Sequence, residues 1–166
     1  MIAGQCCIIR QLGLGVLLDS NGTYDFEKDP ELLEMIDGVM LDIKAVDPAV
    51  CRTLTGAGPE MPIKNLKYLQ FVGKLAEVRT VLLPEGSGSV TGEGELHPPN
   101  SMNELTVRTV ASLLAPSIPY KLLRYRPFGV RQEGIDIIGN TITEESAAEA
   151  LAALARSLGV ENCRVV

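Results

Sequence analysis

At 166 residues the chain has the length of one domain, and its 46% apolar content can fill a core. Fifteen Lys and Arg against 21 Asp and Glu leave a net charge of −6, with no basic face for nucleic acid apparent. Trp is absent, aromatic residues make up 4%, and no apolar run approaches the roughly 18 residues that span a bilayer. Base-stacking platforms and membrane spans are therefore not expected.

In chain order, Ala3 to Leu12 is predicted as the tail of a helix that Gly13 stops. Leu14 to Leu18 reads as a buried strand closed by the turn Asp19-Ser20-Asn21-Gly22. Asp29-Pro30 supplies an N-cap and a first-turn proline for a short helix to about Ile36. Gly38 to Ile43 is the next strand. Asp47-Pro48 repeats the capping device and starts a helix that ends near Gly56. Pro62 opens a helix to about Val72, and Val78 to Leu83 is a strand ended by Pro84. Glu85 to Asn100, rich in Gly and Pro, is a long loop. Ser101-Met102-Asn103-Glu104 fits a capping box for a helix that Pro116 ends. Tyr120 to Tyr125 is a strand, and Arg126 to Asn140 is irregular. Thr141 with Glu144 offers a second capping box, followed by a stripe of Ala147, Leu151, Leu154 and Leu158. Cys163 to Val166 closes the chain as a short strand.

Strands alternating with helices predict βαβ units and a mainly parallel sheet in an α/β fold. A closed eight-stranded barrel needs about 200 residues or more, so the expectation is a small open sheet or part of a (β/α) TIM-like barrel. Cys6, Cys7, Cys51 and Cys163 show neither C-x-x-C nor C-x-x-x-C-x-x-C spacing and read as reduced, mostly buried thiols. No signal peptide opens the chain, so a cytoplasmic protein is expected. The lone His97 reads as a solvated loop residue. The Gly-rich loop has no phosphate-binding pattern, and there is no G-x-S-x-G elbow of a hydrolase.

Val39-Met40-Leu41-Asp42-Ile43-Lys44 carries the sharpest chemistry. Positions i and i+2 of a strand share a side, so Asp42 and Lys44 project together. Burying opposite charges is costly unless each is held. At the C-terminal end of a parallel strand such a pair is either a structural ion pair or a ligand site. Arg79, inside an apolar strand, reaches either a cofactor carboxylate or an acid across the sheet. Arg124, Arg126 and Arg131 form a basic cluster that is either solvated surface or a contact for cofactor or partner.

Four segments carry a family resemblance: Leu17-Leu18-Asp19-Ser20-Asn21-Gly22, Val39 to Lys44, Leu54-Thr55-Gly56 and Asn65-Leu66-Lys67-Tyr68-Leu69. With Val78 to Pro84 and Leu123-Arg124-Tyr125-Arg126-Pro127-Phe128-Gly129, the pattern resembles the activating enzymes of glycyl radical enzymes, the pyruvate formate-lyase activating enzymes among them. The resemblance covers roughly residues 12 to 166. It implies a radical S-adenosylmethionine oxidoreductase on a partial barrel. In that family three cysteines hold a 4Fe-4S cluster, which cleaves S-adenosylmethionine to a radical that takes a hydrogen from a glycine of the partner. The implied cofactor contacts are Asp42, Lys44, Arg79 and Arg126. The implied monovalent cation site is Asp19, Ser20, Met40 and Asp42, with Met40 contributing its backbone carbonyl. The implied partners are a glycyl radical enzyme and a flavodoxin or ferredoxin type reductant.

The chain lacks the cluster motif and the Gly-Gly-Glu-Pro segment, and Arg126 stands where the family has a histidine. The expectation is thus a single domain over residues 1–166, the C-terminal portion of an activase without its cluster-binding part. No iron-sulfur ligand or catalytic residue is expected in it, and no cofactor is expected bound to it. A sheet edge left open is expected to pair into a homodimer. The alternative is a non-catalytic interaction module on the same partial barrel.

Overall fold

The computed structural model describes residues 12–84 and 99–166. Five parallel strands form one sheet in chain order: β1 (Leu17–Ser20), β2 (Gly38–Asp42), β3 (Leu75–Leu82), β4 (Tyr120–Arg124) and β5 (Cys163–Val165). Between them run α1 (Pro30–Met35), α2 (Pro48–Thr55), α3 (Glu60–Phe71), α4 (Pro99–Leu113), α5 (Gln132–Ile138) and α6 (Glu145–Ser157). A doubly wound sheet would reverse its strand order somewhere. This one never does, so right-handed crossovers send successive helices to the same face, as in a partial barrel.

Strand alternation divides the residues accordingly. Val39, Leu41, Val78, Leu82, Tyr120 and Leu122 join Leu33, Leu66, Leu69, Val110, Leu151 and Ala155 of the helices in one buried core. The intervening residues Met40, Asp42, Glu77, Arg79 and Lys121 point to the other, concave face. A smaller cluster of Ala45, Val50, Cys51, Leu83 and Met102 closes the C-terminal end of the sheet.

The two Asp-Pro starts behave as predicted. Asp29 accepts from Leu32 N–H at 3.0 Å, and Asp47 accepts from Ala49 and Val50 N–H at 2.9 Å each. Other boundaries move. β1 begins at Leu17 rather than Leu14, so Asp19 and Ser20 belong to the strand and not to the turn. Nor is this strand buried as expected: Leu14 and Leu17 are both exposed, and none of the four residues of β1 is buried. β3 begins three residues earlier than predicted, because Glu77 is paired and tolerated inside it. α3 starts at Glu60. α4 starts at Pro99, so the Ser101 to Glu104 pattern does not mark its N-terminus. The segment expected to be irregular after Arg126 contains α5. Thr141 and Glu144 form no capping box. Glu144 is the N-cap residue without a side-chain bond, and the buried Thr143 instead donates its hydroxyl to the Leu82 carbonyl at 2.6 Å. The buried face of α6 is Ala148, Leu151, Ala152 and Ala155, one residue off the predicted stripe, with Leu158 exposed. The predicted helix tail before Gly13, Cys6, Cys7, the Gly-rich loop and His97 lie outside the described residues.

Gly22 shows how tightly the turn after β1 is held. It has φ +77°, and an added Cβ would stand 3.0 Å from Pro62 of α3. Only glycine meets both demands.

Cys51 and Cys163 are both buried and free. Burial pushes the Cys163 thiol up to about 11. The folded chain therefore holds this proton at a pH where the unfolded chain has lost it. The stabilisation is full below pH 9 and is lost as pH rises towards 11, a change of about 2 kcal/mol. Unfolding measured at pH 8 and pH 11 should show this loss, and Cys163→Ala should reduce it, the remainder coming from other groups that burial raises, the Tyr120 hydroxyl among them. An equal slope in both proteins would exclude the thiol as its source.

Candidate functional site

The C-terminal end of β2 builds the centre of the site. Leu41 and Ile43 are anchored in the core at zero exposure, which forces Asp42 and Lys44 to the concave side. Lys44 Nζ donates to Asp42 Oδ2 at 2.7 Å. Register places Arg79 of β3 beside Asp42, and Arg79 Nε donates to Asp42 Oδ1 at 2.8 Å. The Arg79 Nη2 group reaches further, to Asp19 on β1. The side chains of Asp42 and Arg79 are 16% and 17% exposed, that of Asp19 60%. Burial opposes the Arg79 charge most strongly, yet the two carboxylates together outweigh it and raise its pKa. Arg79 thus pairs with two acids across the sheet.

Lys44 stands between two cavities. One, about 220 Å³, is walled by Val81, Leu83, Tyr125 and Ile138 and is chiefly apolar. The other, about 230 Å³, is walled by Asn21, Thr23, Cys51, Thr55 and Gly58. Burial raises the Cys51 pKa, so its group there is a thiol and not a nucleophilic thiolate. An apolar wall with one ammonium at its edge is suited to a ligand with a flat apolar part and a carboxylate. A larger groove of about 330 Å³ lies between α4 and α6. Its charged pair, Glu104 and Arg108, is joined at 2.7 Å.

Ser20, Met40 and Asp19 sit on β1 and β2, with Asp19 in register with Met40. Ser20 Oγ accepts from Gly22 N–H at 3.1 Å. Arg126 is exposed on the chain leaving β4, and Arg131 is exposed before α5. Arg124 turns away to Thr143 O at 2.8 Å and Glu145 Oε2 at 2.9 Å, a structural role. Of the three arginines, Arg126 and Arg131 are exposed while Arg124 is held by Thr143 and Glu145.

Two participants escaped sequence reasoning. Tyr125 walls the apolar cavity and donates its hydroxyl to Gly139 O at 3.1 Å, tying α5 over the mouth. Glu77, 8% exposed, pairs with Lys121 Nζ at 2.6 Å, while its Oε1 has no partner. The Leu75, Glu77, Arg79, Val81 alternation was the signal for that pair.

Sheet order, helix placement and a charged C-terminal mouth can be set beside solved structures. The fold is similar to that of an activase domain. A domain of pyruvate-formate lyase-activating enzyme from Bacteroides vulgatus ATCC 8482 superposes with a TM-score of 0.70 and 16% identity, over 99% of this chain and 88% of that one. At that identity the likeness is one of fold. No family model matches the sequence, and no curated protein matches it. No helix among the described residues is long and apolar enough to cross a membrane.

The donors present can be tested against the groups the activase fold implies. Cys51 on α2 and Cys163 on β5 are the cysteines of the described residues, and no three of His, Cys, Asp or Glu gather there to hold a metal. These residues do not fit an iron-sulfur cluster, which needs three thiolates together. The mouth around Lys44 does fit S-adenosylmethionine in chemistry: a cation for its carboxylate and an apolar wall for its base.

Proposed function

We propose that this chain is the C-terminal portion of a radical S-adenosylmethionine activase, which generates the glycyl radical of a partner enzyme of the pyruvate formate-lyase kind. The observation that carries the reading is the Asp42–Lys44–Arg79 constellation at the C-terminal mouth of a sheet shaped like an activase domain. Lys44 would hold the carboxylate of S-adenosylmethionine, Asp42 would accept from a ribose hydroxyl or the amino group, and Arg126 would add a donor from the rim. Val81, Leu83 and Tyr125 would exclude water from the base. The bound sulfonium supplies the radical chemistry, and the residues here bind and orient it. A cytoplasmic site of action, a flavodoxin or ferredoxin type reductant, and pairing of two copies through the β1 edge belong to the same proposal. The segment from Arg126 to Asn140 would face the glycyl radical enzyme.

The test begins with the reading frame. On this reading a C-x-x-x-C-x-x-C is expected within about 100 residues upstream of Met1. The extended protein, reconstituted with iron and sulfide, should bind S-adenosylmethionine, and Lys44→Met should weaken that binding about tenfold without changing the cluster's visible absorption. This chain alone should form no stable cluster. A stable cluster in this chain, or an upstream stop with no such motif, would overturn the proposal.

A further inference from the structure

We infer that Arg79 is the built-in counter-ion of the Asp19–Asp42 pair, so that these carboxylates take no monovalent cation. Arg79 projects from β3 past β2 to β1, giving Nε to Asp42 and Nη2 to Asp19. Lys44 occupies the second oxygen of Asp42 at 2.7 Å. Ser20 Oγ already accepts from Gly22 N–H. Two acids thus meet two bases, and the charge at the site is balanced.

A hard cation binds where several oxygens converge and negative charge is in excess. Here it would enter beside a guanidinium and an ammonium, and both would repel it. The planar fork of arginine can bridge two carboxylates and stays charged at every working pH. The expected cage of Asp19, Ser20, Met40 and Asp42 is therefore satisfied from within the chain. This inference stands on the ion-pair geometry and not on the assignment of the mouth to a sulfonium nucleoside.

Thermal unfolding at fixed ionic strength in sodium, potassium and choline chloride is the test. The wild-type chain is expected to unfold at one temperature in all three. Arg79→Gln leaves two carboxylates with a single ammonium between them. It is expected to unfold about 3 °C higher in sodium or potassium than in choline, the shift given by a ligand at roughly tenfold its Kd. Adding Asp19→Asn should erase that gain. Sodium- or potassium-specific stabilisation of the wild type overturns the inference, and so does an Arg79→Gln variant indifferent to the cation. Should that variant fold in no salt, sodium-23 relaxation of the wild type decides. Bound sodium that potassium displaces overturns the inference, and the absence of such sodium supports it.

Discussion

Asn65→Leu is expected to lower the unfolding free energy by about 4 kcal/mol. Asn65 sits on α3 at zero exposure. Its Nδ2 donates to Gly22 O at 2.8 Å and to Tyr24 O at 2.6 Å, and its Oδ1 accepts from Phe26 N–H at 3.3 Å. One side chain thus satisfies three backbone groups of the segment between β1 and α1. Leucine keeps the branched shape and the number of heavy atoms but carries no polar group, so the three backbone groups lose their partner. Each buried orphan costs about 1–3 kcal/mol. Tyr24 is exposed and its carbonyl can turn to water, which keeps the total below the sum of three. Asn65→Asp keeps the acceptor and loses the donors, so it should be nearly as damaging. Urea unfolding with an unchanged slope and a lowered midpoint would show this. A wild-type midpoint in both variants would refute the role. The segment ends the strand that carries Asp19 and Ser20, so its loosening should also disturb the site.

Lys121→Met should cost about 3 kcal/mol, for a different reason. Glu77 is buried on the concave face, one strand position pair below Arg79. Lys121 neutralises Oε2, and Oε1 already has no partner. Removing the ammonium leaves a carboxylate in the interior with nothing to offset its lost hydration. Removing both charges is another matter. Glu77→Leu combined with Lys121→Met should return to within about 1 kcal/mol of wild type, because a buried pair with one oxygen unmet repays little of its own desolvation. Urea unfolding of the four proteins closes the cycle. A single variant as stable as wild type would mean that Glu77 reaches water.

Much of this was legible in the sequence because it depends on neighbours along the chain. The two-residue period joined Asp42 to Lys44, and the Asp-Pro pairs fixed the starts of α1 and α2 through bonds spanning two or three residues. What depends on folding across the sheet was not legible. Arg79 and Asp19 are 60 residues apart, and nothing in either neighbourhood names the other. Asn65 belonged to a familiar segment, but its duty to Gly22, 43 residues earlier, exists only once α3 crosses the turn. Glu77 lies just before the strand read from Val78, and it is a lysine on the next strand that lets it stay inside. Thr143 is similar: its hydroxyl could have capped α6, but the carbonyl of Leu82, 61 residues away, claims it.

Among the described strands β1 is four residues long and pairs with β2 alone, yet it carries one of the two acids that hold Arg79. Outer strands fray at far less energetic expense than central ones. Each fraying event would carry Asp19 away and leave the guanidinium tethered to one carboxylate, free to swing towards an incoming anion. Readiness for negatively charged visitors would thus be tied to a strand that, among those described, is laced from one side alone.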